Sequence, residues 1–409
     1  MINKKTVLVL GAGASMDYGF PSGEELLQDI VNILKGNLLC GNIKLIKNFI
    51  AYIAFCYIQN KKIVTSRYDQ IIENYLEIIR KAVEEFELRL IRSNAASIDD
   101  FLDKNSEGFE ELAIIGKILI VMVISVYEKR ERLFYTIDKV GEGHRYQGRL
   151  PYPIDHCLSL TRGWYNSLWT KIYDDIGNNL SKLTIISFNY DRSFEYYLLN
   201  SVQSMSSGNA SEIINGNLLI HHVYGQLGRL SWQPKALGVD NEYEPIRVEN
   251  LFSAILDLSM RQQLQINDDK SICECFNKLL SNKDNPYINI NKICNIVEMI
   301  RTYHEASKDV LYEHIKKRLK EAETMFFLGF GYHPQNMKWL QHKEVNANNK
   351  LIYAGTVYGK GKEDVGEIRV GLSKLFSSGS TYISQSTHFK PEYSGFKIKE
   401  YLANVVNVQ

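Results

Sequence analysis

Three short segments carry residue types from which a reactive site can be built. Gly11-Ala12-Gly13-Ala14-Ser15 follows an apolar run and precedes a helical stretch. Gly11 permits a tight turn there. Gly13 lets the main chain approach a phosphate at a helix N-terminus, where free N–H groups and the positive end of the helix dipole meet. Ser187-Phe-Asn-Tyr-Asp191 ends a second apolar run with a neutral amide, Asn189, two residues before a carboxylate, Asp191. His221-His-Val-Tyr-Gly225 ends a third with an imidazole and a phenol before a glycine. An amide can orient a water or hydroxyl, a carboxylate can fix that geometry, and an imidazole can accept a proton. Each segment also has a plainer reading. The glycines suit any strand-to-helix turn, Asn and Asp cap helices and favour turns, and a single histidine is commonly a hydrogen-bonded core residue. Strand side chains alternate, so His222 and Tyr224 are expected on one face and His221 on the other.

The surrounding elements must bring these segments together. Thr6-Val-Leu-Val-Leu10, Leu183-Thr-Ile-Ile-Ser187, Leu218 to Tyr224, Thr324-Met-Phe-Phe-Leu328 and Leu351-Ile-Tyr-Ala354 read as short strands, the apolar ones as strands buried on both faces. The last two end in Gly329-Phe-Gly331 and Gly355-Thr356. Between the first strand and the second, residues 24–180 read as a mainly helical insertion or cap. Helical spacing runs from Arg67 to Arg92, Glu110 to Tyr127 and Trp164 to Ile176. Ser22 is an expected N-cap with Glu24 and Glu25 in the first turn, and Ser97-Ile-Asp-Asp100 an expected capping box. Farther on, Arg192 to Val202, Asn250 to Ser281, Asn291 to Ala322 and Asp364 to Phe376 are expected helices. Ser204 to Asn217 and Arg229 to Tyr243 are expected loops. The fold class is α/β, a Rossmann-like parallel sheet with a large helical insertion, in one catalytic domain over 1–409. Ligands of such sheets lie beyond the carboxyl ends of the strands, where all three segments end.

Composition narrows the function classes. The chain of 409 residues is 45% hydrophobic and 23% charged, with a formal net charge of +1, so no global basic field gathers nucleic acid. Six cysteines occur without a C-x-x-C pair, and no structural zinc is expected. Scattered thiols suit a reducing compartment. Met1 to Lys5 is basic, but the apolar stretch after it is short, and the longest apolar run, Ile118 to Ile124, is too short to span a bilayer. A cytoplasmic protein without membrane association is expected.

Gly11-Ala-Gly-Ala-Ser15 continues into Gly19-Phe-Pro-Ser-Gly23. This stretch resembles the sirtuin superfamily, whose loop has Gly-Ala-Gly-x-Ser followed by Gly-x-Pro. It is most similar to the sirtuin-like proteins of bacterial antiphage defence, which carry Pro-Ser-Gly there. Asn189 and Asp191 match the functional positions of the sirtuin Thr-Gln-Asn-x-Asp segment, and His222 to Gly225 the strand that ends in His-Gly. The sequence departs from classical sirtuins at Ser22-Gly23-Glu24, which replaces an acidic residue, an aromatic and an arginine. It departs again at Tyr224, which stands directly before the glycine, and in lacking the zinc cysteines.

The resemblance implies NAD as substrate. It implies catalytic roles for Asn189 and Asp191, with His222 or Tyr224 as base and Tyr224 otherwise a ribose or water contact. Cofactor contacts are implied for Gly11, Ala12, Gly13, Ala14, Ser15, Pro21, Ser22, Gly329, Gly331, Asn336, Gly355 and Thr356. Of these, Asn336 would meet a ribose hydroxyl and Ala354 to Thr356 the adenine. The implied activity is an NAD glycohydrolase that releases nicotinamide and ADP-ribose, an effector of defence by NAD depletion. A homo-oligomer is implied, with a separate partner chain, a HerA-like ATPase or alternatively a short Argonaute, and no direct binding of nucleic acid. Two other readings stay open: a non-catalytic module that senses NAD or ADP-ribose, and, ranked last for want of a carboxylate metal cluster or basic stripe, a nuclease subunit.

Overall fold

The computed structural model describes residues 2–36, 43–61, 69–105, 109–128, 163–205, 208–230, 232–233, 290–306, 311–341, 352–357 and 361–376. Its elements, in chain order, are β1 (Thr6–Leu10), α1 (Gly13–Met16), α2 (Gly23–Leu34), α3 (Ile43–Lys61), α4 (Asp69–Arg92), α5 (Ile98–Asn105), α6 (Glu110–Tyr127), α7 (Trp164–Ile172) and α8 (Ile176–Ser181). There follow β2 (Leu183–Ser187), α9 (Ser193–Met205), α10 (Ala210–Asn217), β3 (Leu219–His222), α11 (Ile290–Met299), α12 (Tyr303–Ala306), α13 (Leu311–Glu321), β4 (Thr324–Leu328), α14 (Pro334–Leu340), β5 (Ile352–Gly355) and α15 (Lys362–Phe376).

The strands form a five-stranded sheet in the order β3-β2-β1-β4-β5, and every pairing is parallel. The expected α/β class is therefore observed. Helices cover both faces, so β1, β2 and β4 are buried along their whole length. That is the physical reason their sequences are almost unbroken apolar runs. Leu10 pairs with both Ser187 and Leu328. The residues that follow, Gly11, Phe188 and Gly329, consequently leave the sheet at one level. The strand order reverses beside β1, which places the topological switch point at its carboxyl end.

The helical insertion is not one block. Helices α2 to α5 pack around α6, and α11, far downstream in the chain, joins them through α3 and α6. By contrast α7 and α8 pack on α9, α10 and β2, as part of the sheet's own helical layer. Helix α6 is buried nearly all round, which explains why its sequence carries no amphipathic stripe. Its one buried cation, Lys117, meets Glu305 at 2.7 Å. Among the described residues no helix is long and apolar enough to cross a membrane.

Two local expectations are corrected. Ser204 to Asn217 is not a polar loop throughout, because it contains α10, whose Ala210 and Ile214 are buried and whose N-cap Asn209 accepts from Ser211 N at 3.2 Å. Asn291 to Ala322 is not one helix but parts of α11, α12 and α13, broken where Ile300 bridges to Gly225. Ser22 is the expected N-cap and goes further, forming a full capping box: it accepts from Glu25 N at 3.2 Å and donates its own N–H to Glu25 Oε2 at 2.7 Å. Ser97 forms half of one: it accepts from Asp100 N at 3.2 Å, while Asp100 turns to Lys104. The expected helix from Asn250 to Ser281, most of the Arg229 to Tyr243 loop, and Cys40, Cys157, Cys273 and Cys275 lie outside the described residues.

At the switch point the main chains of β1 and β4 touch. Gly13 N donates to Gly329 O at 3.0 Å and Gly11 N to Leu328 O at 3.0 Å. A Cβ on Gly11 would stand 2.6 Å from Gly329 O, and one on Gly13 would stand 2.8 Å from Gly329 Cα. Gly329 has φ +57°, and a Cβ there would overlap the main chain of Gly13 and Ala14. Gly331, two residues on, faces open space. Gly329→Ala is expected to cost on the order of 2–4 kcal/mol through strain and overlap. Gly331→Ala is expected to be near neutral; urea unfolding of both variants measures the contrast, and equal midpoints would refute it.

Candidate active site

Asn189 lies two residues beyond the end of β2, on a turn that re-enters the protein instead of leaving it. Phe188 N donates to Leu10 O at 2.9 Å and Leu227 N donates to Tyr190 O at 2.9 Å, so neighbouring strand ends hold the turn on both sides. Asn189 itself is 7% exposed. Its Nδ2 donates to Gly11 O at 2.9 Å and to Ser15 Oγ at 3.0 Å. Because a main-chain carbonyl only accepts, this pairing fixes which end of the amide is nitrogen. The carbonyl end, Oδ1, is buried and has no hydrogen-bond partner. Buried polar atoms are nearly always paired, so this acceptor is set for a donor from outside the chain.

Ser15 Oγ passes the interaction on, donating to Asp191 Oδ2 at 2.7 Å. The other carboxylate oxygen accepts from Ser193 N at 3.1 Å and from the Ser193 hydroxyl. Asp191 thereby caps α9 and orients Ser15 at the same time. Burial pushes its carboxyl above the ordinary range, against the pull of the Ser193 and Ser15 hydrogen bonds. His222, the last residue of β3, places Nδ1 2.8 Å from Asn189 O and Nε2 2.5 Å from Glu195 Oε1. Burial drives its pKa down, but the Glu195 carboxylate, the Asn189 carbonyl and Asp191 together outweigh this and leave the ring above the ordinary histidine value.

These residues enclose a narrow void of about 10 Å³, lined among others by Ser15, Tyr165, Asn189, Asp191, Glu195 and His222. That is room for about one water. Helix α7 closes its back wall. Trp164 Nε1 donates to Ala14 O at 2.8 Å, and the Tyr165 ring stacks on Tyr18 at 3.7 Å. A second groove, about 390 Å³ between α4 and α5 with Arg89 and Lys104 on its walls, lies on the helical bundle and holds none of the expected site residues.

Of the residues expected in the site, the structure brings Ser15, Asn189, Asp191 and His222 together. Several other residues are placed differently. Gly11 and Gly13 turn the chain as expected, but their N–H groups are taken by β4 and its following turn, and Ala14 and Ser15 donate to Gly11 O and Ala12 O. Pro21 is buried, and the Ser22 hydroxyl is occupied in the α2 capping box. Tyr224 lies past the end of β3, where alternation no longer applies. It is fully buried, and its hydroxyl donates to Asn336 Oδ1 at 2.6 Å, so two expected ligand contacts are partners of each other. Thr356 accepts from Gly329 N at 2.8 Å beside the end of β5, with Gly355 in the sheet ladder. Gly331 is exposed at the rim. His221 points away from His222, as expected, and stacks on Trp339.

Sequence reasoning missed Glu195, Arg192, Glu128, Tyr165 and Asp99. Arg192 is 2% exposed and bidentate to Glu128, with Nε at 2.9 Å and Nη2 at 2.5 Å. Asp99, on the first turn of α5, accepts from the Tyr190 hydroxyl. Glu195 was findable, because it precedes Leu198 and Val202 on one buried stripe of α9. No family model and no curated protein matches the chain.

Asp99 yields a pH prediction. Burial pushes its carboxyl up to about 6, although the Tyr190 hydrogen bond pulls the other way. The folded value thus exceeds the unfolded one of about 3.9, so the protonated carboxyl is favoured by folding. Its contribution is complete below about pH 4 and is lost as pH rises through about 6. Unfolding free energy should therefore fall more steeply with rising pH between 4.5 and 7 in the wild type than in Asp99→Asn, by up to about 1.4 kcal/mol per pH unit. Parallel pH profiles of the two urea midpoints would contradict this.

Proposed function

We propose that the chain is an NAD glycohydrolase, which cleaves the bond between ribose and nicotinamide and releases nicotinamide and ADP-ribose. The observation that carries this reading is the unpartnered, buried Oδ1 of Asn189, held in place by Gly11 O and Ser15 at the carboxyl end of β2. A ribose hydroxyl or a water is the kind of donor such an acceptor takes. Nicotinamide in NAD is a cationic leaving group, so its departure needs no strong nucleophile. The bond from C1′ to nitrogen breaks with its electron pair passing to nicotinamide. Water adds at C1′, and its surplus proton is released. What a protein can add is a fixed acceptor beside the sugar and a nearby carboxylate that holds this acceptor's geometry. Asn189 and Asp191, linked through Ser15, supply both.

The void behind Asn189 is water-sized. That size supports a reading in which the dinucleotide lies over the strand ends, along the Gly11 to Ser15 loop and Gly331, with only a water or a hydroxyl reaching inward. The sirtuin-like resemblance of the Gly11 and Asn189 segments supports the same substrate. It further supports a role in antiphage defence by NAD depletion, in a homo-oligomer working with a separate partner chain such as a HerA-like ATPase. A non-catalytic NAD or ADP-ribose sensor is the second reading, favoured by the engagement of both His222 nitrogens.

Incubation of the purified chain with NAD, alone and with the co-expressed ATPase, followed by chromatography, tests both. Nicotinamide should appear in stoichiometric amounts with ADP-ribose, and Asn189→Ala should lower kcat by about 10²-fold or more. Intact NAD recovered from a tight complex would favour the sensor, and undiminished turnover by Asn189→Ala would overturn the assignment of the site.

A further inference from the structure

Both ring nitrogens of His222 face groups that accept hydrogen bonds. Nδ1 meets the main-chain carbonyl of Asn189 at 2.8 Å, and Nε2 meets the Glu195 carboxylate at 2.5 Å. A neutral imidazole carries a single N–H and can satisfy only one of two acceptors. The His222 side chain is 7% exposed and that of Glu195 2%, so bulk water does not supply the missing proton. A second N–H on the ring satisfies both partners and sets a positive charge beside a buried carboxylate that has no other cation against it among the described residues. The remaining cation of this loop, Arg192, is committed to Glu128. The other ionisable groups that line the void are Asp191, on the turn after β2, and Tyr165, on α7. An anionic Asp191 favours the charged ring, and burial keeps Tyr165 in its neutral phenol form.

We propose that Glu195 is a positioning residue that holds His222 as a doubly protonated imidazolium, so that His222 ties the Asn189 main chain in place and does not act as a proton acceptor. The tie joins α9, β3 and the turn after β2 at one point. It fixes the peptide whose side chain presents the unpartnered Oδ1. The inference deepens the proposed function, because it removes His222 from the candidate bases, but its geometry and its test are independent of turnover.

Nitrogen-15 NMR of the full chain, labelled in its histidine rings, reads the protonation state without any substrate. The chain has 9 histidines, and a free imidazole side chain in water loses its second proton near pH 6.5. One histidine should remain doubly protonated at pH 8, with both ring nitrogens carrying protons. In Glu195→Gln that signature should disappear, since the glutamine amide can donate to a neutral Nε2 while Nδ1–H keeps Asn189 O. Nine neutral rings at pH 8 in the wild type would overturn the proposal even if the variant does not fold. Persistence of the doubly protonated ring in Glu195→Gln would overturn the role of Glu195. Failure of NAD hydrolysis with the imidazolium present would count against the proposed activity and leave this inference standing.

Discussion

Burying a charged side chain costs several kilocalories per mole unless hydrogen bonds and an opposite charge replace its water. Between Asp191 and Glu195 the chain buries two carboxylates and a guanidinium, and each is 7% exposed or less. Much of the architecture around the strand ends follows from that burden. Asp191 takes its donors from Ser15 on α1 and Ser193 on α9. Arg192 takes a carboxylate from Glu128, just past α6. Glu195 takes His222 from β3. Each partner comes from a different element, so the turn is held by the whole fold and not by its own conformation. Loss of Glu128 or of His222 would strand a buried charge, at a cost of about 3–5 kcal/mol.

Hydrogen-bond satisfaction also separates the residues that hold the site from the one left with a spare acceptor. Tyr224 and Asn336 satisfy each other, Thr356 satisfies Gly329, and Ser22 satisfies its own helix. Each of these residue types can bind a ribose or a phosphate, yet here each completes a contact inside the chain. The Asn189 amide is different: its nitrogen is doubly engaged and its oxygen is not. An acceptor fixed so firmly and left open is the arrangement that electrostatic preorganisation requires, since no reorientation remains to be made when a ligand donor arrives.

How much of this was legible in the sequence depends on the range of the interaction. The strands were, because burial on both faces leaves a run of apolar residues that needs no partner to be recognised. So were Asn189 and Asp191, because a polar pair directly after such a run falls at a strand's carboxyl end by construction. The ties were not. Glu128 meets Arg192 across 64 residues, Asp99 meets Tyr190 across 91, and Trp164 meets Ala14 across 150. No periodicity links such pairs. The same holds for α11, whose amphipathic sequence shows that it is a helix but not that it completes a bundle begun near the N-terminus. Tyr224 shows a subtler limit: alternation predicts a side chain's face only while the strand lasts, and β3 ends at His222.

The positions of the ties carry one more consequence. In the sequence Asn189-Tyr190-Asp191-Arg192, the two residues assigned to the site alternate with two whose side chains are gripped from the helical bundle, Tyr190 by Asp99 of α5 and Arg192 by Glu128 beyond α6. A bundle that shifts relative to the sheet must either carry this turn with it or leave a buried guanidinium and a buried phenol without partners. The second course forfeits several kilocalories per mole, a large fraction of the net stability of a folded domain. Bundle position and turn geometry are therefore energetically linked, and the linkage is reciprocal: whatever stabilises one arrangement of the turn stabilises the matching arrangement of α5 and α6 to the same degree. The helical insertion is thus a structural neighbour of the site with a direct mechanical hold on both sides of Asp191.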